Sequence, residues 1–224
     1  MKITFLGLAG LMFEKDGFVI LIDPYLSDSV AQVIPKNYRR VPVDESLFAI
    51  KPNVMIFTHN HLDHYDPATV ERFLSGSDNV LVLAPQSVWN EVRRFGGSHN
   101  YVLFNRHTQW TEQGIRFTAV KAEHSDAYAI GVVLDDGSRK YYVTGDTLYN
   151  EEIFGDIPGD IYALFLPVNG VGNNMNMTDA ARFAQRIHPQ KTVPIHTGMF
   201  DRLSVEDFAC DNKIIPEIYK EVLL

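Results

Sequence analysis

The 224-residue chain is 46% apolar, 12% aromatic and 21% charged, a balance that suits one large α/β domain and leaves no room for a disordered, collagenous or coiled-coil reading. A formal charge of −8 and a sequence pI near 5.4 argue against a polyanion such as nucleic acid as the main partner, because phosphate binding needs clustered Lys and Arg. One cysteine, Cys210, excludes an internal disulfide framework and fits a reducing compartment, most simply the cytoplasm.

The opening MKITFLGLAGLMF has a charged head and an apolar run, but Glu14 and Lys15 end it without a small-x-small cleavage site. It reads as strands rather than a signal peptide. No stretch reaches the roughly 18 apolar residues of a membrane span. Residues 2–7, 11–15 and 18–24 form three short runs, with Asp16-Gly17 as a hairpin turn, and predict a β-meander. Residues 26–50 lose periodicity and carry Pro35, Pro42 and the pair Arg39-Arg40, which predicts a long loop or lid.

VMIFT (54–58) reads as a buried strand running into the segment THNHLDHYD. A helix follows, with Asp66 as N-cap and Pro67 at its first position. Residues 80–85 and 85–95 repeat strand then helix. From Tyr101 the pattern turns to strands at 101–104, 115–124, 127–137 and 139–146, with Asp135-Asp136-Gly137 as a further hairpin turn. A strand at 161–167, an amphipathic helix at 177–188, a strand at 191–196 and two helices from about Ser204 and Ile215 complete the chain. Two half-chains, each a sheet with helices, predict two stacked sheets inside outer helical layers, with no linker between domains.

Three histidines and two aspartates fall within residues 58–66, a density of donor groups that folding alone rarely requires. His59 and His61, two apart on extended backbone, face the same way, while Asp63 and His64 follow where the chain turns. His124, Asp146 and His196 each end a predicted strand. An imidazole or carboxylate buried at such a tip is costly unless paired or metal-bound, so several strand tips with this choice point to one shared centre. Singly, each has an ordinary reading: a hydrogen-bonded histidine, or for Asp146 a turn former.

THNHLDH with His124, the TGDT at 144–147 and His196 resembles the metallo-β-lactamase superfamily of metallohydrolases, from the IDP strand to PIH. The resemblance implies an α/β fold, the αβ/βα four-layer sandwich of two mixed sheets flanked by helices, as one domain over residues 1–224. It implies two divalent metal ions: His59, His61 and His124 would hold the first, Asp63, His64 and His196 the second, and Asp146 would bridge them. A bridging water deprotonated near neutral pH would be the nucleophile, and Asp63, Asp146 and His196 are the expected catalytic residues. No cysteine lies among the donors, so the classical antibiotic-hydrolysing pattern is absent. Imidazole and carboxylate without thiolate suit zinc, the first expectation by base rate, and also manganese or iron.

Residues 22–29, 122–134, 166–184 and 193–201 look like the subgroup that includes L-ascorbate-6-phosphate lactonase. This implies a metal-dependent hydrolase, lactonase or phosphodiesterase in type, acting on a small anionic metabolite, with a lactone favoured. Asn169, Asn173, Asn174 and Asn176, between a strand and a helix, are candidates for reading the substrate, and Arg39 and Arg40 for binding a phosphate. The bland alternatives are turn residues and a solvated arginine pair. Competing readings are a nuclease-type hydrolase of the same fold and a non-catalytic metal-binding protein. A small-molecule substrate, no nucleic acid and no membrane are the expected partners, and a homo-oligomer is compatible with the sequence.

Overall fold

A computed structural model describes residues 1–224. The predicted meander forms as β1 (Lys2–Gly7), β2 (Gly10–Lys15) and β3 (Phe18–Ile22), antiparallel throughout. β4 (Val54–Ile56), β5 (Leu81–Ala84) and β6 (Asn100–Leu103) then add in parallel, giving a six-stranded sheet in sequence order. The second sheet also has six strands. β7 (Gln109–Glu112), β8 (Ile115–Lys121), β9 (Ile130–Asp135) and β10 (Lys140–Val143) run antiparallel, and β11 (Ile161–Pro167) and β12 (Lys191–Ile195) continue in parallel. β7 is absent from the sequence reading because QWTE is too polar to declare itself. It forms as the outer partner of β8 across the Gln113-Gly114 turn.

Residue parity builds the layers. In β3 and β4, Ile20, Ile22, Val54 and Ile56 enter the cluster between the sheets, where Tyr141, Val143, Ala163 and Phe165 of β10 and β11 meet them. The alternate residues Leu21, Met55 and Phe57 face outward onto α2 (Pro67–Ser75) and α3 (Gln86–Val92), through Val70, Phe73 and Val88. On the far side Tyr142, Leu164 and Leu166 pack against Ala180, Phe183 and Ala184 of α4 (Met177–Ile187). The central strands are thus buried on both faces, and each such large apolar side chain contributes roughly 1.5–3 kcal/mol. The result is the four-layer α/β/β/α arrangement.

The helix ends follow the local chemistry. The Asp66 side chain accepts from Thr69 N with Pro67 at the first helical position, and Asn176 caps α4 by accepting from Asp179 N. His188 closes α4 in the left-handed conformation, with φ of 56°. The loop over 26–50 carries the short helix α1 (Ser29–Val33) and one 3-10 turn, Glu45–Ala49.

The two helices expected from about Ser204 and Ile215 do not form. Their backbone groups serve the sheet edges instead. Tyr219 N and Val222 N donate to Phe5 O and Ile3 O, and Phe5 N donates to Lys220 O along β1, while Ile214 N donates to Thr192 O along β12. The tail thereby covers one open edge of each sheet, satisfying strand groups that would otherwise face water or another chain. No helix is long and apolar enough to cross a membrane.

Candidate metal centre

Every expected donor lies where a strand ends on one rim of the two sheets. β4 runs through Phe57 and Thr58 into His59, and the chain then turns tightly, with His64 N and Tyr65 N both donating to His61 O. β8, β10 and β12 lead to His124, Asp146 and His196 respectively. The nitrogens of His59, His61 and His124 form one group, and the acceptor and donor atoms of Asp63, His64 and His196 another; within each, all ligand atoms lie within 4.8 Å of one another. Asp146 touches the second group, its Oδ1 3.2 Å from His64 Nε2 and its Oδ2 3.2 Å from His196 Nε2, and its charge also acts on His59 and His124 of the first.

Several contacts suit an ion standing between the side chains. His61 Nδ1 faces His124 Nε2 at 3.2 Å, and His64 Nε2 faces His196 Nε2 at 3.3 Å. His59 Nε2 is buried without a partner, although Thr58 Oγ1 lies 3.0 Å from its Nδ1. A buried orphan nitrogen is expensive, and ring nitrogens that face each other are poorly satisfied; a cation among these donors relieves both. Imidazole and carboxylate donors of this number and kind fit divalent metal ions.

Charge follows the same division. Burial, joined by its histidine neighbours, pulls His59 well below its ordinary pKa, and burial likewise lowers His124, so both rings stay neutral with a lone pair to offer. Burial opposes charge on His64 and His196, but Asp146 with Asp23 or Asp63 outweighs it. His64 is raised well above its usual value and His196 to about 10. Asp146 is held well below the carboxylate range by His196 and His64 against its own burial. Protons on these two rings occupy the positive position that a metal ion would take.

Around the donors lies a shell of fixed partners. Asp23, fully buried after β3, accepts from Thr58 N at 2.8 Å and from the Thr58 hydroxyl, and contacts His64 Nδ1 at 2.8 Å. With its lone pairs committed this way, Asp23 orients a ligand. Sequence reasoning does not single it out; the signal was an acidic residue closing the apolar strand FVILI. Asp126 accepts from Asn60 N, between His59 and His61, and from Ser87 Oγ. Asn174 Nδ2 donates to Asp146 Oδ2 at 2.8 Å, and the Asn169 amide lies 3.0 Å from His196 Nδ1.

The close approach of the two sheets requires Gly145, whose φ is +62°; a Cβ there would stand 2.8 Å from Thr58 Cβ and 2.9 Å from Ile130 O.

A family model described as Beta-lactamase superfamily domain matches residues 19–197. This chain belongs to that superfamily. A UPF0173 metal-dependent hydrolase of Thermoplasma acidophilum is 30% identical over 221 residues, covering 91% of this chain and 90% of the relative. Another of Desulforamulus reducens is 26% identical, covering 93% and 90%. The superfamily member is therefore placed among metal-dependent hydrolases of the UPF0173 family. Igni18, a metallo hydrolase from the hyperthermophilic archaeon Ignicoccus hospitalis, superposes with a TM-score of 0.78 at 20% identity, covering 99% of this chain and 97% of that one. At that identity the likeness speaks for the fold.

Of the residues expected to read substrate in this superfamily member, Asn169 and Asn174 line a cavity of about 650 Å³ over the donors, with His61, Asp63, Asp146 and His196 at its base. Asn173 offers only its carbonyl, 3.3 Å from His124 Nδ1. Three others do not reach the cavity. Asn176 is spent as the cap of α4. Arg39 is buried, its guanidinium donating to Tyr25 O, Val41 O and Tyr219 Oη, and Arg40 donates to Phe200 O. Arg39 pins the 26–50 loop to the body through two carbonyls and the Tyr219 hydroxyl, and half-buried Arg40 does so through the Phe200 carbonyl while lying over the Tyr38 ring. The remaining histidines lie elsewhere: His107 beside Asp156 at the surface, His99 accepting from Val80 N, and His188 capping α4.

Proposed function

We propose that the chain hydrolyses a small ester- or lactone-type substrate with two divalent cations at this rim, zinc first by base rate, with manganese or iron also compatible with the donors. The observation that carries the reading is the convergence of seven donors from four strand ends, four of which, His61, Asp63, Asp146 and His196, form the base of one cavity. When bound, the cations lower the pKa of an attacking water and draw charge from the developing oxyanion.

The chain's own residues do the rest. His59, His61 and His124 present neutral imidazoles on one side, while Asp63, His64 and His196 serve the other. In this reading Asp146 serves both sets, its carboxylate steadied by Asn174. Asp23 fixes the ring plane of His64 through Nδ1, leaving Nε2 to face inward. Asp63 Oδ2, 3.4 Å from His196 Nε2, lines the cavity and in this reading orients the water and takes its proton. The amides of Asn169 and Asn174 are uncharged polar groups of the same lining, beside His196 and Asp146.

Elemental analysis of protein purified without added metal, then a screen of esters, lactones and phosphodiesters with that metal restored, tests the reading. Hydrolysis should appear with the wild type and vanish with His61→Ala. Turnover at the wild-type rate by a folded, metal-depleted His61→Ala protein would rule it out.

A further inference from the structure

The cavity's lining is uneven in a way that bears on what enters it. α1 and the residue after it contribute Val30, Val33 and Ile34, and Leu62, Val171 and Phe200 supply further apolar wall. Val33 and Val171 are 72% and 67% exposed, a conspicuous apolar exposure at the mouth of a polar site. Beyond the metal donors, the one charged side chain in the lining is Asp201, a carboxylate that accepts from Gly198 N and Leu203 N at 3.0 Å. The other polar side chains there are amides, those of Asn37, Asn60, Asn169 and Asn174. No lysine or arginine lines the cavity. Arg39 and Arg40 are committed to holding the loop.

We propose that the substrate is an uncharged ester or lactone whose apolar acyl or alkyl arm lies against α1 and Val171, in contrast to the anionic metabolite expected from the sequence. The proposal rests on the hydrolase reading and narrows it. An anionic group remote from the cations would lose water and meet only amides and the Asp201 carboxylate, whereas an apolar arm covers Val33, Ile34 and Val171. The reaction is balanced by water alone: hydroxyl joins the carbonyl carbon, the ester C–O bond breaks, and the water's other proton goes to the departing oxygen or to solvent.

The test compares p-nitrophenyl hexanoate with mono-p-nitrophenyl adipate, which share acyl length and differ by a terminal carboxylate, on the metal-loaded chain. The hexanoate should have a kcat/KM higher by about tenfold or more. Val171→Asp and Val33→Asp, both at exposed positions, should each cut that preference, chiefly through KM. Binding gives a second readout: hexanamide should raise the melting temperature of the metal-depleted chain more than adipamate does. Equal or better turnover of the adipate would overturn this proposal and leave the hydrolase reading intact. Inactivity on every ester, lactone and phosphodiester would instead remove the hydrolase reading, and equal stabilisation by the two amides would then overturn the preference for a neutral arm as well.

Discussion

His64 Nδ1 lies 2.8 Å from the buried carboxylate of Asp23, and the same carboxylate accepts from Thr58 N and the Thr58 hydroxyl. One side chain at the end of β3 therefore sets both the exit of β4 and the direction in which His64 Nε2 points. A ring held through one nitrogen presents the other with a defined lone pair.

Asp23→Ala should weaken metal binding at the Asp63, His64 and His196 group by about 10–100-fold, while the His59, His61 and His124 group changes less. Competitive metal titration, resolving a tight and a weakened site, checks this. Equal weakening of both sites, or of neither, would contradict the assigned role.

Much of the centre was legible because its residues are dense or repeat one placement: THNHLDH is packed with donors, and His124, Asp146 and His196 each follow a strand. The meander, the capped α2 and the alternating sections were legible for the same reason, since periodicity and cap chemistry are local. What escaped depends on distant partners. Asp23 looks like a turn residue until Thr58 and His64 close on it. Arg39 and Arg40 look like an anion site until oxygens of Tyr25, Tyr219 and Phe200 accept their hydrogen bonds. Residues 204–224 read as helical until their backbone finds the edges of β1 and β12.

Gly145→Ala should destabilise the fold by about 1–3 kcal/mol from its backbone angle alone. The clash with Thr58 Cβ and Ile130 O adds to this and displaces His59 and Asp146 relative to each other. The expected outcome is a lower denaturation midpoint together with reduced metal content. A substitution that left both unchanged would show that the sheets tolerate wider separation at this rim.

Asp156 tests the electrostatics away from the centre. Arg106 holds its carboxyl below the usual range against partial burial, helped by Lys121 N and His107. A folded-state pKa depressed below the unfolded value of about 3.9 stabilises the protein above that pH, and the stabilisation is lost as pH falls from there through the lower folded value. Asp156→Asn should therefore cost roughly 1–3 kcal/mol at pH 7, through lost charge-assisted hydrogen bonds, and progressively less in acid. The gap between the melting curves of the two proteins should stay constant from pH 7 to about pH 5 and narrow as pH falls from about 4 toward 2; a gap that stays constant over that lower range would refute the linkage.

The central claim is that seven side chains from four strand ends surround a pair of cations. Anomalous diffraction from metal-loaded crystals measures this directly. Two peaks about 3.5–4 Å apart are expected, one against His59, His61 and His124, the other against Asp63, His64 and His196, with Asp146 reaching both. A folded, metal-loaded protein whose anomalous signal lies away from these residues would contradict the account.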